Sequence, residues 1–364
     1  MSKYKIAWMP GDGVGKDVLD AAKIVLDAVG LDAEYLPGDV GWKFWVKEGE
    51  PLPERTIKLM KETDCALFGA ITSKPSNVAQ QELSPQLKDK GLVYRSPIVR
   101  MRQLFDMYIC FRPRHAYPGN PLNYREGIDL VIFRENTEGL YSGVEFERVP
   151  EEMLRIRGME KVPPDGAISL KINTRWKSER ICRAAFEFAR KNNRKRVTCV
   201  HKANVVRATD GLFLSVFNQV ANDYPNIKAD NANVDALGMW LLKNPLDYDV
   251  LVAPNLYGDI ISDLASQMVG GLGFGSSGNI GDKYALFEPS HGSAPKYAGL
   301  AKVNPIATIL AAKQMLDWLG EKELGSRVEN GVARVIKEGK VRTYDMKGSA
   351  STTQMAETIA SKLH

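Results

Sequence analysis

Short apolar runs alternate with longer amphipathic stretches along most of the chain. The first pair shows the pattern: residues 5–9 predict a strand, and Lys16–Val29 predicts an amphipathic helix that ends at Gly30. Further runs with the length and composition of buried strands lie at residues 65–68, 129–133, 197–201, 250–253 and 285–287. Strands that alternate with helical patterns predict an α/β architecture.

Composition places the chain among ordinary globular proteins. Its 364 residues, 44% of them apolar and 26% charged, are enough for a large core and two domains. We expect no signal peptide and no membrane span, because no apolar segment is long enough for either. The four cysteines lie far apart and three fall in apolar runs, which predicts buried free thiols in a protein of the reducing cytoplasm.

The formal net charge of +5 is concentrated locally. Between Arg95 and Arg114 there are five arginines against one acidic residue, and the stretch from Lys171 to Arg207 is also basic. A nucleic-acid-binding protein would show such a pattern, and so would an enzyme that acts on a polyanionic metabolite. Composition alone leaves both classes open.

Two loops have a conspicuous composition but match no functional motif. The glycine-rich turn at residues 10–15 is followed by a lysine, but its spacing matches neither the dinucleotide-binding fingerprint nor the phosphate-binding loop. The charged stretch from Glu145 to Gly166 ends in a Pro-Pro-Asp-Gly turn, which favours an exposed arm.

The segment from Asn255 to Asp263 follows an apolar run and predicts a helix after a buried strand. Asp259 and Asp263 are four residues apart, so both carboxylates project from one face of this helix. Such a pair suits a hard cation, although Mg²⁺ or Mn²⁺ normally needs further oxygen ligands. An aspartate near the start of a helix can equally serve the helix end alone.

Arginines and other polar residues follow or flank several of the predicted strands. Arg102, Arg112 and Arg134 lie among aliphatic residues, and guanidinium groups bind planar carboxylates in bidentate fashion. Lys202 and Asn204 follow the strand at 197–201 in the same way. Ligands bind at such strand ends in open α/β sheets, although a solvated basic face or structural hydrogen bonding is an alternative for each group alone.

Together these segments resemble the β-decarboxylating dehydrogenases that act on isocitrate, homoisocitrate and 3-isopropylmalate. The matching motifs occur in the same order along nearly the whole chain: G-D-G-V-G at 11–15, R-E-N-T-E-G at 134–139, H-K-A-N at 201–204, N-L-Y-G-D-I-I-S-D at 255–263, S-G-N-I-G-D at 277–282 and H-G-S-A-P at 291–295.

The resemblance implies a fold, an organisation and a partner. The fold is an α/β fold of the isocitrate/isopropylmalate dehydrogenase type, in which two α/β domains share a cleft and neither is a standard Rossmann domain. Residues 1–107 with 270–364 would form the large cofactor-binding domain, and residues 108–269 the small domain with the dimer interface and the arm near 145–166. The expected partner is a second copy of the chain, without nucleic acid or membrane.

The resemblance also assigns roles. The implied reaction is oxidation of a (2R)-hydroxy acid at C2 followed by loss of the C3 carboxylate as CO₂, with Lys202 removing the hydroxyl proton and Tyr141 protonating C3. Substrate carboxylates would be bound by Arg102, Arg112 and Arg134. Asp259, Asp263 and, from the neighbouring subunit, Asp235 would bind Mg²⁺ or Mn²⁺; Lys202 and Asn204 would serve the neighbour's site as well.

The substrate pocket is marked by the segment S-P-I-V at residues 96–99. Isocitrate enzymes typically show S-L-N there; Ser96 is kept, whereas Ile98 replaces the asparagine and Val99 follows. This segment is similar to some homoisocitrate enzymes, and its aliphatic pair to isopropylmalate enzymes, but a serine hydroxyl suits an isopropyl group poorly. Isocitrate is the expected substrate, homoisocitrate the close alternative and 3-isopropylmalate the third.

The nicotinamide cofactor is expected to be NADP, with NAD as the alternative. NAD-using relatives commonly carry Asp-Ile after H-G-S-A-P, whereas this chain has Lys296 and Tyr297, which with Tyr344 suit a 2′-phosphate. An arginine that usually completes this group is absent, and Gly348 stands in its place. The positions that the resemblance assigns to the cofactor are Thr72, Glu288, His291, Gly292, Lys296, Tyr297, Val303, Asn304, Tyr344 and Asp345.

Overall fold

Strands and helices alternate through residues 2–364, which are the residues that the computed structural model describes. The strands are β1 Tyr4–Gly11, β2 Ala33–Pro37, β3 Cys65–Ala70, β4 Ile109–His115, β5 Asp129–Glu135, β6 Glu145–Phe146, β7 Ile168–Ser169, β8 Arg196–His201, β9 Lys228–Asn233, β10 Val250–Ala253, β11 Ser276–Ile280 and β12 Ala285–Pro289. The helices are α1 Gly15–Val29, α2 Trp42–Glu48, α3 Glu54–Lys61, α4 Ser76–Gln81, α5 Pro97–Leu104, α6 Glu151–Leu154, α7 Arg175–Lys191, α8 Thr209–Ala221, α9 Val234–Lys243, α10 Asn255–Met268, α11 Ile306–Trp318, α12 Lys322–Glu338 and α13 Thr352–Ala360.

The predicted α/β architecture is confirmed. Every strand predicted from an apolar run is present, as β1, β3, β5, β8, β10 and β12. The predicted first helix is α1, and Gly30 ends it in the left-handed conformation at φ 86°. The predicted turn at residues 10–15 starts later than expected, because β1 continues through Gly11, which pairs with Ala70 of β3.

One ten-stranded sheet runs through the molecule in the order β2-β1-β3-β12-β11-β4-β5-β10-β8-β9. The four strands at the β2 end run parallel to one another, and so do the four at the β9 end. Between these two groups, β11 and β4 pair in antiparallel fashion with each other and with the strands on either side. The sheet is therefore continuous across the boundaries predicted for the two domains, and the division into domains stays a prediction.

Helices cover both faces of this sheet, and four large clusters of buried apolar residues separate them from the strands. At the β2 end, α1, α11, α12 and α13 pack on one face, and α3 with α5 on the other. At the β9 end, α7 and α8 pack on one face, and α9 with α10 on the other. Helix α10 therefore approaches β4 and β5 from the face opposite α7.

The predicted arm and the predicted thiols have the expected exposure. Within Glu145–Gly166 most side chains are exposed, and β6 pairs with β7 in a separate two-stranded sheet. All four cysteines are buried and free, as predicted. In the described residues, no helix combines the length and the apolar character that crossing a bilayer requires.

The glycines of the first loop serve close backbone packing. A Cβ placed on Gly13 would lie 2.0 Å from the carbonyl oxygen of Ser293, and Gly13 has φ +55°. Val14 donates its backbone N–H to the same oxygen at 2.8 Å. The loop therefore packs directly on the segment that follows β12.

Candidate active site

Strands β4 and β5 direct arginines toward α10. Along β4, Arg112 and Arg114 alternate with Phe111, which packs on the opposite face against the α7 cluster. Arg134, near the end of β5, is only 1% exposed and Arg112 only 6%. Buried guanidinium groups need anionic or hydrogen-bonding partners, and α10 supplies them.

The carboxylate of Asp259 is the point at which these side chains meet. Its Oδ1 forms an ion pair with Arg134 and accepts a hydrogen bond from Arg112 Nη1 at 3.1 Å. Its Oδ2 accepts a hydrogen bond from the Tyr141 hydroxyl at 2.8 Å. The guanidinium of Arg134 also lies 5.0 Å from the centre of the Tyr141 ring. The structure thus brings four of the predicted site residues into direct contact.

Asp263 lies one helical turn further along α10 and is more exposed than Asp259. Arg112 Nη1 donates to its Oδ1 at 3.4 Å and to Ser262 Oγ at 2.7 Å. The Nε of Arg112 is buried and has no hydrogen-bond partner within the described residues. Because a buried donor normally has a hydrogen-bond partner, this N–H favours the binding of an anion or another acceptor at the site.

The surroundings shift the pKa values of Asp259 and Asp263 in opposite directions. Burial by itself would raise the pKa of Asp259, but the adjacent guanidinium groups of Arg134 and Arg112 outweigh burial and lower it. Burial raises the pKa of Asp263, and the charges of Arg112, Arg114 and Arg134 do not compensate, since the neighbouring Asp259 also raises it. Asp259 therefore stays anionic to lower pH than Asp263.

The pKa of the Tyr141 phenol is raised. Burial is the main cause, and the anionic Asp259 beside it contributes, whereas the nearby Arg134 opposes the shift. The hydroxyl therefore remains protonated well above neutral pH, as a proton donor must.

Asn255 fixes the orientation of Arg134. Its side-chain oxygen accepts hydrogen bonds from Arg134 Nε at 2.9 Å and Nη2 at 2.7 Å, while its Nδ2 donates to the Glu138 carbonyl at 3.0 Å. Gly258 makes room for the contact, because a Cβ there would lie 2.6 Å from Arg134 Cβ. The sequence pattern marked Asn255 only as the start of a helix, so its role as a positioning residue emerges from the structure.

Arg102 is buried between α5 and the strands β11 and β12. Its Nε donates to Asn279 Oδ1 at 2.8 Å, and its Nη2 donates to Glu288 Oε1 at 3.1 Å. Asn279 in turn donates from Nδ2 to Glu288 Oε1 at 2.8 Å. Glu288, which the resemblance assigns to the cofactor, is therefore an ion-pair partner of a predicted substrate arginine. Asn279 is a second positioning residue that sequence reasoning did not single out.

The residues predicted to sense the substrate's third group lie at the start of α5. Ser96 immediately precedes this helix and is partly buried. Ile98 is only 8% exposed and belongs to a core cluster with Met9 and Met101, and Val99 packs against the same cluster. At this position the chain presents a hydroxyl together with apolar packing.

Lys202, Asn204 and Asp235 do not join the other site residues within one chain. Lys202 Nζ donates to Asp235 Oδ1 at 2.6 Å, which lowers the pKa of Asp235, and Asn204 is exposed. In residues 2–364 no three acidic, histidine or cysteine side chains form a group able to bind a metal ion. Asp235 is thus separate from the pair on α10 in the single chain.

The two carboxylates on α10 have the right ligand chemistry for a hard divalent cation, but two ligands are too few to complete its coordination. Asp259 and Asp263 offer carboxylate oxygens, the donors that Mg²⁺ and Mn²⁺ prefer. Two carboxylates leave most positions of an octahedral ion to other oxygen donors. Substrate, water or further protein oxygens would have to fill those positions.

Most predicted cofactor residues surround one cavity of about 300 Å³ next to the Gly13 loop. Six of them line it: His291, Gly292, Val303, Asn304, Tyr344 and Asp345. Thr72 lies nearby, with its Oγ1 2.6 Å from Ser293 Oγ. Asn304 donates from Nδ2 to Asp345 Oδ2 at 3.0 Å and accepts the N–H of Ile306 at 3.0 Å.

His291 Nε2 is buried without a hydrogen-bond partner among the described residues. Its Nδ1 lies 3.0 Å from the carbonyl oxygen of Gly292, and burial lowers the pKa of the ring. A neutral imidazole with one free nitrogen at the wall of a cavity fits hydrogen bonding to a nucleotide.

Two phenol rings and two lysines lie at the edge of this cavity. The rings of Tyr297 and Tyr344 are 5.6 Å apart between centroids, and Lys296 Nζ lies 4.9 Å from the centre of the Tyr297 ring. Lys302, which no sequence motif marked, approaches both rings. Cations and phenol hydroxyls are suitable groups for a phosphate.

The basic segment from Arg95 to Arg114 does not form an exposed face. Arg102 and Arg112 are buried, and Arg114 is fully buried and donates to the carbonyls of Ser262 and Ser276. Phosphate neutralisation along a nucleic acid needs accessible charges. The local excess of arginine instead belongs to an enclosed site and to the packing around it.

The sequence matches the isocitrate/isopropylmalate dehydrogenase family over residues 5–359. The chain belongs to the isocitrate/isopropylmalate dehydrogenase family. It is accordingly a decarboxylating dehydrogenase, from a family that depends on NAD or NADP and on a divalent metal ion. The resemblance inferred from the ordered motifs is confirmed.

Similar members of the isocitrate/isopropylmalate dehydrogenase family carry different substrate names. Homoisocitrate dehydrogenase of Methanocaldococcus jannaschii is 42% identical over 98% of this chain and 96% of that protein. The 3-isopropylmalate dehydrogenase of Methanothermobacter thermautotrophicus is 39% identical over 100% and 99%. The crystal structure of isocitrate dehydrogenase from Methylococcus capsulatus matches with a TM-score of 0.88, 37% identity and 99% coverage of each chain. Overall similarity therefore does not select one acid.

Proposed function

We propose that this protein catalyses the metal-dependent oxidative decarboxylation of isocitrate to 2-oxoglutarate with reduction of NADP. Homoisocitrate is the second candidate substrate. The observation that carries the proposal is the enclosed group of Arg102, Arg112 and Arg134 beside the carboxylate pair of α10. Such a site suits a substrate that has several carboxylates and binds together with a divalent cation.

The arginines bind and orient the substrate in this proposal. Arg134 and Arg102 are already oriented by Asn255 and Asn279, so little conformational freedom remains to be lost when a carboxylate binds. Arg112 contributes the unpartnered Nε. Bidentate contacts from fixed guanidinium groups would place C2 and C3 of the acid in a defined position.

Two proton transfers fall to residues of the chain. Lys202 of the partner subunit would take the proton of the C2 hydroxyl, for which it must be neutral in the assembled site. Tyr141 would donate its proton to C3 after CO₂ has left, and its hydrogen bond to Asp259 fixes the phenol in place. Bound Mg²⁺ or Mn²⁺ would supply positive charge beside the oxygen on which negative charge develops.

The length of the substrate is the least constrained part of the proposal. Ser96 offers a hydroxyl near the site, which favours a third carboxylate over an isopropyl group. Ile98 and Val99, however, provide no polar group for that carboxylate, and the named relatives fit homoisocitrate at least as well as isocitrate. A longer acid would place its third carboxylate elsewhere in the cleft.

The experiment that tests this proposal is a comparison of kcat/KM for isocitrate, homoisocitrate and 3-isopropylmalate, with NADP⁺ or NAD⁺ and with or without Mg²⁺. The highest value is expected for isocitrate with NADP⁺ and Mg²⁺. A higher value for homoisocitrate would select the second candidate. A clear preference for 3-isopropylmalate would refute the assignment of a third carboxylate, and equal turnover without metal would refute the role of the α10 pair.

A homodimer with shared sites is part of the proposal. Helices α9 and α10 expose four large apolar side chains, Met239, Trp240, Leu242 and Ile260, each at least 36% exposed. An apolar surface of this kind on adjacent helices marks an association site, and a two-fold axis would pair it with itself. The incomplete carboxylate set in one chain calls for the same partner, which would bring its own Asp235.

A further inference from the structure

Lys302 lies opposite two phenol rings at the edge of the proposed cofactor site. Its Nζ is 5.1 Å from the centre of the Tyr344 ring and 5.8 Å from that of the Tyr297 ring. Both distances are within the range of cation–π attraction. The side chain is exposed, and none of the ion pairs formed by residues 2–364 includes it. Its charge is therefore free to meet a ligand.

The backbone on both sides of Lys302 is fixed by one buried residue. Thr352, the first residue of α13 and only 1% exposed, donates its N–H to the Ala301 carbonyl at 2.7 Å and its Oγ1 to the Val303 carbonyl at 2.6 Å. Ala301 has φ +47°, a left-handed conformation that residues with a Cβ adopt only when their surroundings impose it. The lysine thus projects from a constrained segment, next to Val303 at the wall of the cavity.

Position 348 cannot supply a cation at this edge. A Cβ on Gly348 would lie 2.0 Å from the carbonyl oxygen of Arg342, so that any side chain would displace the backbone. The arginine that usually completes the 2′-phosphate group in the NADP-dependent relatives is therefore sterically excluded here. A phosphate carries close to two negative charges, and Lys296 alone leaves this charge only partly balanced.

We propose that Lys302 is a specificity-determining residue that contacts the 2′-phosphate of NADP together with Lys296. The proposal rests on NADP being the cofactor. Both lysines approach the Tyr297 ring, and Tyr297 and Tyr344 can donate their hydroxyls to the phosphate oxygens. Lys302 thereby provides the charge that Gly348 cannot.

The test uses two probes that differ only in the phosphate of interest, adenosine 2′,5′-bisphosphate and adenosine 5′-monophosphate. Calorimetric titration of the protein with each probe gives binding constants that do not depend on turnover. For Lys302→Gln we expect the affinity for the bisphosphate to fall about tenfold, the loss of one charge-assisted contact, and the affinity for the monophosphate to stay unchanged. Lys302→Glu is expected to lower bisphosphate affinity further. Lys58→Gln on α3, which removes the same charge from an exposed position, is the matched control.

Three results distinguish this inference from the cofactor assignment. A selective loss of bisphosphate binding in Lys302→Gln but not in Lys58→Gln supports it. Unchanged bisphosphate binding in Lys302→Gln overturns it, and the assignment of NADP survives if the unmodified protein still prefers the bisphosphate. If the unmodified protein binds both probes equally, the NADP assignment and the role of Lys302 both fail.

Discussion

The Tyr141 hydroxyl donates a 2.8 Å hydrogen bond to Asp259 Oδ2, while Asp259 Oδ1 faces Arg134 and Arg112. One carboxylate thus connects the proposed proton donor, the proposed substrate arginines and the proposed metal position. Its lowered pKa and the raised pKa of Tyr141 have the same consequence: across neutral pH the phenol keeps its proton and the carboxylate does not.

Replacing Asp259 by asparagine should abolish the proposed metal-dependent turnover while the protein stays folded. The amide retains hydrogen-bonding capacity toward Tyr141 but loses the anionic oxygen that a hard cation requires. We expect activity with saturating Mg²⁺ to fall by about a thousandfold, the scale of losing one strong electrostatic contact in an active site. Activity at several Mn²⁺ concentrations, with circular dichroism and sedimentation for the fold, measures this. Asp20→Asn, on the exposed face of α1, is the control. Persistent activity would reduce Asp259 to a helix-end residue.

Replacing Tyr141 by phenylalanine should lower kcat by about 10²- to 10⁴-fold, the usual contribution of a general acid. The hydroxyl donates only to Asp259 in the structure, so its removal leaves the packing of the ring intact. KM for the acid should change little. Steady-state kinetics measure both, and Tyr108→Phe, which removes a hydroxyl 3.3 Å from Asp282, is the control. An unchanged kcat would show that another group protonates C3.

Replacing Gly258 by alanine should displace Arg134, because the new Cβ would lie 2.6 Å from Arg134 Cβ. We expect KM for the acid to rise by about tenfold, since one guanidinium contact to a carboxylate would be lost. Binding of the dinucleotide should be unaffected, since its proposed cavity lies elsewhere. Gly211→Ala on α8, where a Cβ meets nothing within 4 Å, should instead add about 1 kcal/mol of stability through helix propensity. Equal KM in both variants would contradict the close-packing explanation.

Mixed dimers test whether the sites are shared between subunits. Lys202→Met and Asp259→Asn homodimers should each be inactive. After unfolding and refolding an equimolar mixture, half of the dimers are hybrids and each contains one intact site, so about a quarter of the original activity should return, as two-fold symmetry requires. Failure to recover any activity, with hybrids shown by native mass spectrometry, would place Lys202 and Asp259 in the same subunit's site.

Changing Lys296 to aspartate together with Tyr297 to isoleucine should shift the preference from NADP toward NAD. The aspartate would repel a 2′-phosphate and accept a hydrogen bond from a ribose hydroxyl. We expect the ratio of kcat/KM for NADP⁺ to that for NAD⁺ to fall by at least about a hundredfold, two tenfold contributions. Lys283→Asp, elsewhere on the surface, controls for the change of charge. An unchanged ratio would count against the assignment of these two residues.

The sequence predicted the buried parallel strands of the sheet better than the antiparallel strand β4 at its centre and the strand β9 at its edge. The buried parallel strands β3 and β10 are almost wholly apolar, so their pattern is unambiguous. Strand β4 was not predicted, because Arg112 and Arg114 interrupt its apolar positions. Both are buried, and Arg112 donates to Asp259 whereas Arg114 donates to the Ser276 carbonyl. The edge strand β9 is polar and exposed, and its neighbour β8 determines its conformation.

In the site, too, residues that belong to local motifs were predicted better than residues placed by distant contacts. Arg134, Tyr141 and Asp259 lie in or next to the motifs, and the structure brings them into contact. Asn279 was quoted only as part of a motif, because its hydrogen bond to Arg102 connects residues 177 positions apart. Lys302 had no signal, since its position depends on Thr352, which lies far along the chain. Long-range contacts of this kind cannot be derived from local spacing.

The antiparallel pair β11 and β4 at the centre of the ten-stranded sheet has a consequence for how the protein unfolds and moves. Backbone hydrogen bonds cross from one half to the other at Gly278, Asn279 and Ile280 rather than ending at a flexible linker. Any relative movement of the two halves of the sheet must therefore appear as twisting of this pair, with no swivelling about a loop. The two halves should also unfold in a single cooperative transition, because neither can unfold without exposing the edge strand of the other.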